Sequence, residues 1–245
     1  MHGYEPHSYG DAMADVYDDW YADISDVDAT VATLVSLAVG GAVLELGVGT
    51  GRIAVPLAEQ GVEVHGVDAS DAMVRRMADK PGGHRVRTVV GDMIDDLPDG
   101  PFSLAFVAYN TFFNLLTAER QQACFHAVAA RLAPGGSFAI EAFVPDPEHE
   151  TASSVSVRSV HVDRVVLSVS TADPVRQVAE GQYIDITEVG GVKLRPWSIR
   201  WATPAQLDRM AETAGFTLAA RWSGFEGAPL AADDARHVSL YRLGQ

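Results

Sequence analysis

Residues 43 to 51 read Val43-Leu44-Glu45-Leu46-Gly47-Val48-Gly49-Thr50-Gly51, a short apolar run that empties into glycines. The run from Ala42 to Leu46 has the length and character of a buried strand. Glycines directly after a strand let the chain turn tightly and let a ligand approach the backbone. The dinucleotide fingerprint is spaced G-x-G-x-x-G. Here the third glycine, Gly51, comes one residue early, and Arg52 stands where it should be. A pyrophosphate cradle favours small residues and open N–H groups at that point. The loop therefore suits a ligand without a pyrophosphate, with a carboxylate for Arg52 to pair. The other reading of Arg52 is a solvated helix-face arginine.

The rest of the pattern follows at the expected distances. Gly61 ends a helix, Val62 to Val67 alternates as a second strand, and Asp68 closes it. An acid at that tip typically accepts ribose hydroxyls. Val89-Val90-Gly91-Asp92-Met93 ends a third strand, and Leu132-Ala133-Pro134-Gly135-Gly136 precedes the strand Ser137 to Phe143. Four such motifs in this order resemble those of the class I S-adenosylmethionine (SAM)-dependent methyltransferases. The resemblance is carried by Glu45 to Gly51, Asp68, Gly91-Asp92-Met93 and Leu132 to Gly136, and spans residues 10 to 145. It implies an enzyme that uses SAM, releases S-adenosylhomocysteine (SAH) and needs no metal.

Composition narrows the alternatives. The chain has 245 residues, 47% of them hydrophobic, enough for one substantial core and a small appended lobe. Its apolar runs are short of a membrane span, and Met1 to Glu5 lacks the features of a signal peptide, so a cytoplasmic protein without membrane contact is expected. The net charge of −15 repels phosphate backbones, which argues against nucleic-acid partners. No Lys or Arg precedes Arg52, whereas Glu5, Asp11, Asp15, Asp18, Asp19, Asp23, Asp26 and Asp28 crowd the first thirty residues. These acids read as a solvated helix face. The single cysteine, Cys124, excludes an internal disulfide and reads as a core thiol, and the scattered histidines give no metal-site spacing.

Strand and helix signals alternate through residue 145. A helix is expected over 10–23, and a second after Asp26. Strand 42–46, helix 51–60, strand 62–67, helix 71–79 capped by Ser70, and strand 86–90 follow. Strand 102–108, helix 118–131 after Thr117, and strand 137–143 complete the run. Alternation of this kind builds a parallel sheet covered on both faces, with ligands at the carboxyl ends of the strands. After Pro145 the pattern changes to period two. Ser154 to Ser170, Tyr183 to Thr187 and Val192 to Trp201 read as antiparallel strands with a solvated face. Thr203-Pro204 starts a helix closed by Gly215, and 216–222 and 237–243 read as the last strands. The expected fold is α/β: a Rossmann-like seven-stranded sheet of the class I methyltransferase type, helices on both faces, and an inserted small antiparallel sheet. The expected parts are an N-terminal helical lid (1–41), a SAM-binding core (42–145), an inserted sheet supplying substrate pocket and dimer contact (146–202), and a C-terminal helix with the last two strands (203–245).

The resemblance assigns roles residue by residue. Gly47, Gly49 and Gly51 fit the amino-acid end of SAM, with Arg52 on its carboxylate and Glu45 on its ammonium. A charged residue inside an apolar strand needs such a partner to justify burial. Asp68 takes the ribose. Ala69 and Met73 wall the adenine, and Gly91, Asp92 and Met93 border it, Asp92 alternatively serving as an Asx turn. Ala108 and Tyr109 end the fourth strand near the ammonium. Asn110, Phe113 and Asn114 follow in the loop facing the methyl. Tyr9, Tyr17 and Tyr21 resemble the N-terminal lid of the nucleotide-sugar N-methyltransferases of antibiotic biosynthesis, where such tyrosines cover SAM and approach the acceptor amine. Glu141 either orients an amine or is a buried, hydrogen-bonded carboxylate. Lys193, Arg195 and Arg200 form a basic cluster that suits a diphosphate, or else are solvated strand charges, with Trp197 among them. The first-choice reaction is therefore methylation of the amino group of a nucleotide-linked amino sugar, by a homodimer or monomer. The alternatives are a small-molecule O- or carboxyl-methyltransferase, an NAD-dependent oxidoreductase and a non-catalytic SAM-binding partner.

Overall fold

The computed structural model describes residues 1–146 and 152–244; the first part of the inserted segment, 147–151, and the last residue lie outside the described residues. Seven strands make the main sheet: β1 (Val43–Leu46), β2 (Val64–Asp68), β3 (Arg87–Val90), β4 (Phe102–Val107), β5 (Leu132–Phe143), β10 (Phe216–Trp222) and β11 (Arg236–Leu243). Their order is β10-β11-β5-β4-β1-β2-β3, parallel except for β11, which runs antiparallel to both neighbours. This is the expected seven-stranded sheet. Strand β1 alternates its side chains between two apolar layers. Leu44 and Leu46 face Phe112, Phe125 and Leu207, while Val43 faces Leu34 and Leu57.

Among the described residues seven α-helices accompany the strands: α1 (Ser8–Met13), α2 (Tyr17–Trp20), α3 (Val27–Ala38), α4 (Ala54–Glu59), α5 (Asp71–Ala78), α6 (Ala118–Ala129) and α7 (Pro204–Thr213). The expected caps are in place. Asp26, Ser70, Thr117 and Thr203 each accept a backbone N–H of their helix's first turn, and Thr203 forms a full capping box with Gln206. The single helix expected over 10–23 is instead two short helices, because the chain leaves helical geometry at Val16 (φ −121°).

The inserted sheet consists of β6 (Ala152–Val160), β7 (Arg164–Asp173), β8 (Val178–Thr187) and β9 (Gly191–Arg200), antiparallel in that order. The run Ser154–Ser170 therefore divides at 161–163 into two strands. The expected solvated polar face is reversed. Tyr183, Asp185 and Arg195, paired across β8 and β9, turn toward the N-terminal segment, while Val155, Val157, Val192 and Leu194 are exposed.

The acidic N-terminus is not merely a solvated face. Asp11 accepts from Ser70 Oγ (2.6 Å). Asp18 accepts from Thr50 Oγ1 (2.6 Å) and Lys80 Nζ (2.8 Å). Asp15 pairs with Lys193 (3.0 Å) and Arg195 (2.5 Å). Three aspartates thus fasten one segment to α5, to the glycine loop and to β9. Gly10 marks the closest approach, since a Cβ there would meet Ser70 Cβ at 2.4 Å. No helix among the described residues is long and apolar enough to cross a membrane.

Candidate active site

The turn after β1 forms the floor of a cleft at the carboxyl ends of β1 and β2. Gly47 and Gly51 have φ of +69° and +76°, conformations that a side chain resists. A Cβ on Gly47 would also meet Thr111 Cγ2 at 2.3 Å, and one on Gly51 would meet Met77 at 2.5 Å. Asp68 locks the far side of this turn: Oδ2 accepts from Gly49 N (2.8 Å), and Oδ1 from Ser70 N (2.8 Å). Each oxygen keeps acceptor capacity beyond that one bond. Burial pushes the Asp68 carboxyl up, against the two amides that lower it.

Tyr9, Tyr17, Gly47, Gly49, Asp68, Ala69, Met73, Asp92 and Met93 all line this cleft. Tyr4, Glu5, Thr111, Asn114 and Arg120 line it too. Asn114 lies in the loop expected to face the methyl; of the others only Tyr4 had a signal to find it by, an aromatic residue beside the tyrosine-rich helix. Asp92 is more constrained than expected. Its Oδ1 accepts from Ile94 N (2.8 Å) and Arg120 Nη2 (2.6 Å), so it builds an Asx-type turn and an ion pair at once. Gly91 packs against Asp96, which explains the glycine without a ligand.

Glu45 and Arg52 lie below and beside the floor. Glu45 is 4% exposed, and its Oε2 has no hydrogen-bond partner among the described residues. Burial, helped by the charge of Asp68 and opposed by Arg52, pushes its carboxyl up to about 8. Arg52 donates to Ser25 Oγ (2.5 Å) and forms no ion pair among the described residues. A buried carboxyl that keeps one oxygen without a partner, near a guanidinium outside any ion pair among the described residues, is the complement of an amino-acid zwitterion.

Beyond the cleft the tyrosines gather. Tyr9 OH donates to Tyr21 OH (3.1 Å), and the Tyr21 ring lies 4.7 Å from Tyr17 and 5.8 Å from Tyr109. Trp20 meets Tyr183 edge-on at 5.7 Å, and Tyr183 lies 6.4 Å from Trp197. Arg158 caps the group, with its guanidinium 4.8 Å, 5.1 Å and 5.0 Å from the Trp20, Tyr21 and Tyr183 rings. Its placement comes from a β-bulge: β6 and β7 shift register between Val157 and Ser159, and Arg158 is the extra residue. A bulge is invisible in a single sequence.

Several expected site residues serve the scaffold. Glu141 Oε2 accepts from Tyr109 N (2.9 Å), and Asn110 Oδ1 accepts from Phe143 N (2.7 Å). Both hold the turn at Tyr109 and Asn110, whose φ values of +47° and +64° need such support. Ala108 is buried at the end of β4. Phe113 is fully buried against Phe112 and Phe143, so it does not face a substrate. The basic cluster is divided: Lys193 and Arg195 share Asp15, and Arg200 lies apart on the other face of β9. Arg195 is 2% exposed and spent on Asp15, Asp185 and the Ala12 carbonyl. Arg200 has the opposite parity on β9 and donates to Gln121 Oε1 (2.6 Å) on α6. Among the described residues no group of His, Cys, Asp and Glu is arranged to hold a metal ion.

A glycine turn, an acid at the tip of β2 and this strand order together define a class I SAM-dependent methyltransferase, and the chain belongs to that family. A methyltransferase-domain model matches residues 43–136. The chain is 32% identical over 200 residues to the cypemycin N-terminal methyltransferase of a Streptomyces species, covering 79% of each. It superposes on the CcbJ methyltransferase from Streptomyces caelestis with a TM-score of 0.90 and 38% identity, over 99% of this chain and 100% of that one. The sugar N-methyltransferase KedS8 from Streptoalloteichus shares the fold at a TM-score of 0.70 and 20% identity, over 100% of this chain and 99% of that one.

Proposed function

We propose that the chain methylates an amine nitrogen on a small molecule. The observation that carries this reading is the group of tyrosines, Tyr9, Tyr17, Tyr21, Tyr109 and Tyr183, gathered beside the cleft. Burial pushes Tyr17 up to about 12 and raises Tyr9, Tyr21, Tyr109 and Tyr183 as well. All five stay neutral phenols near pH 7, so they donate and accept hydrogen bonds without acting as strong bases. Glu141 is tied to the Tyr109 amide, and no histidine lines the cleft among the described residues. An acceptor here must be nucleophilic without first losing a proton to a strong base, as a neutral amine is and an un-ionised phenol is not.

On this reading Asp68 holds the ribose, Glu45 the ammonium and Arg52 the carboxylate of SAM. The Gly47 and Gly49 backbone lies along its amino-acid end, and Ala69, Met73, Asp92 and Met93 surround the adenine. Bound SAM supplies a methyl activated by its sulfonium. The protein's part is to orient the amine, exclude water and receive the charge that passes to nitrogen. Tyr21, bonded through Tyr9, offers a hydroxyl to an amine N–H. The faces of Trp20, Tyr17 and Tyr109 stabilise the developing ammonium. Arg158 forms no ion pair among the described residues and offers N–H groups to an oxygen of the acceptor near the amine.

The cypemycin enzyme is named as an N-terminal methyltransferase, which supports a nitrogen acceptor. A nucleotide-linked amino sugar remains a candidate amine. Its diphosphate has no receiver in Arg195 or Arg200, so an uncharged acceptor scaffold fits better. The test incubates the protein and SAM with free and nucleotide-linked amino sugars, amino-acid amides, short peptides, cyclic secondary amines and phenols. SAH release and a one-methyl mass gain are the readouts. Turnover should be confined to amines and should rise with pH toward the pKa of each. Methylation of phenols or carboxylates alone would overturn the nitrogen assignment.

A further inference from the structure

Arg120 stands where its own helix does not favour it. Thr117 caps α6 and accepts Arg120 N at its hydroxyl (3.1 Å). Arg120 is therefore the third residue of the helix, where a capping box would carry Glu or Gln. The positive end of the helix dipole also disfavours a cation there. The side chain turns instead to the loop after β3. Its Nη2 donates to Asp92 Oδ1 (2.6 Å) and its Nη1 to Asp95 Oδ2 (2.9 Å). The loop does not need the guanidinium in order to close. Asp92 Oδ1 already accepts from Ile94 N (2.8 Å) and Asp95 N (3.3 Å), and Asp92 N donates to Asp96 Oδ2 (2.8 Å). Arg120 and Asp92 both line the cleft, and Arg120 is the only cationic side chain that does so among the described residues.

We propose that Arg120 is a specificity-determining residue for the cofactor: it fixes the Asp92 carboxylate and forms with it the pair that selects adenine. This rests on the reading above that Asp92 and Met93 border the adenine of SAM. Three donors fill Asp92 Oδ1, and Oδ2 has no hydrogen-bond donor among the described residues. Oδ2 cannot swing away without breaking the bonds to its twin. A guanidinium carries five N–H groups, and two of these serve Asp92 and Asp95. The cleft wall thus holds an open acceptor beside open donors. The pairing edge of adenine is their complement, since its N6 amino group donates and its N1 accepts. Hypoxanthine reverses that order, with a carbonyl at position 6 and a hydrogen on N1. Its O6 would meet a carboxylate oxygen, and a buried polar group left unpaired is what rejects a near-isostere. Ala69, Met73, Met93 and Leu116 line the same cleft and offer apolar contact to either base, so they do not discriminate.

Isothermal titration with SAH and with S-inosylhomocysteine, its deaminated analogue, measures the selection. The wild type should hold SAH at least about thirtyfold more tightly. Arg120→Met keeps the length of the side chain and removes its charge. Its preference should fall below about fivefold, with far-UV circular dichroism unchanged. Asp92→Asn supplies an amide that can donate to O6, so it should bind the inosyl analogue more tightly than the wild type does. If Arg120 only tied α6 to the loop, Arg120→Met would weaken both ligands alike and keep the wild-type preference; that result overturns the proposal. So does a wild type that binds both ligands equally, or an Asp92→Asn variant that gains nothing for the analogue. Should the methionine variant fail to fold, Arg120→Lys keeps the charge and loses the fork. Its preference should fall as well, and a wild-type preference there is equally decisive against the proposal. A wild type that binds neither ligand would refute the placement of SAM in the cleft and this inference with it.

Discussion

Replacing Glu45 by glutamine should stabilise the cofactor-free protein and weaken its hold on SAH. The Glu45 carboxyl is held up to about 8, against an ordinary value of 4.5, chiefly by burial. A group whose folded pKa is raised keeps its full stability contribution below the unfolded value, here 4.5, and loses it as pH rises toward about 8. At about 1.36 kcal/mol per unit, the resulting cost is roughly 4 kcal/mol at pH 7.5 and under about 1 kcal/mol at pH 5. Glutamine carries no such cost, so these figures bound the gain. Each kcal/mol moves Tm by roughly 2–4 °C in a chain of this size. The Tm difference between variant and wild type should therefore grow from at most about 3 °C at pH 5 to as much as roughly 8–16 °C at pH 7.5. Over the same range SAH affinity should rise with pH in the wild type, as Glu45 ionises to meet the ammonium, and stay flat in the variant. At pH 7.5 the lost charge-assisted bond is worth about 1.5–3 kcal/mol, roughly ten- to a hundredfold in Kd. Calorimetric unfolding and isothermal titration measure the two effects. Parallel Tm–pH curves together with unchanged SAH affinity would show that Glu45 neither strains the free protein nor meets the cofactor.

Asp68→Asn should weaken SAH by roughly tenfold or more, because a charged acceptor becomes neutral; titration showing wild-type affinity removes Asp68 from the ribose site. Tyr21→Phe should lower kcat about ten- to a hundredfold with SAH affinity retained, if its hydroxyl guides the amine; an unchanged kcat on a confirmed amine substrate would refute that role. Arg195→Gln should cost about 2–4 kcal/mol, since Asp185 keeps only Arg164 and Asp15 loses its main partner. Hydrogen exchange over residues 8–21 should then quicken, and exchange as slow as in the wild type would mean that the clamp does not hold the segment. Asp15, held down to about 2 mainly by its hydrogen bond to Arg195, keeps that clamp charged at neutral pH and loses it only as pH falls from 3.8 toward about 2. The wild-type segment should accordingly stay protected at pH 5.

The fold and the cofactor loop were legible in the sequence because their determinants are local. Gly47, Gly49 and Gly51 announce a turn by their own conformational freedom. Asp26, Ser70, Thr117 and Thr203 cap helices within three residues of themselves. Asp68 acts on Gly49 and Ser70 across the first strand–helix–strand unit. Glu45 declared itself as a charge inside an apolar run. What only the tertiary structure decided depends on segments far apart in the chain. Asp15 meets Arg195 across 180 positions, which turned an apparent acidic face into a clamp and an apparent phosphate site into its other half. Glu141 and Asn110 became supports for a strained turn once β4 and β5 lay side by side. Period two revealed that residues 154–201 were strands with two unlike faces. It could not say which face would turn inward, because that depends on whether a charged side chain finds a partner elsewhere in the fold. Here Arg195 and Asp185 found theirs on the inner side, and the valines were left to the surface.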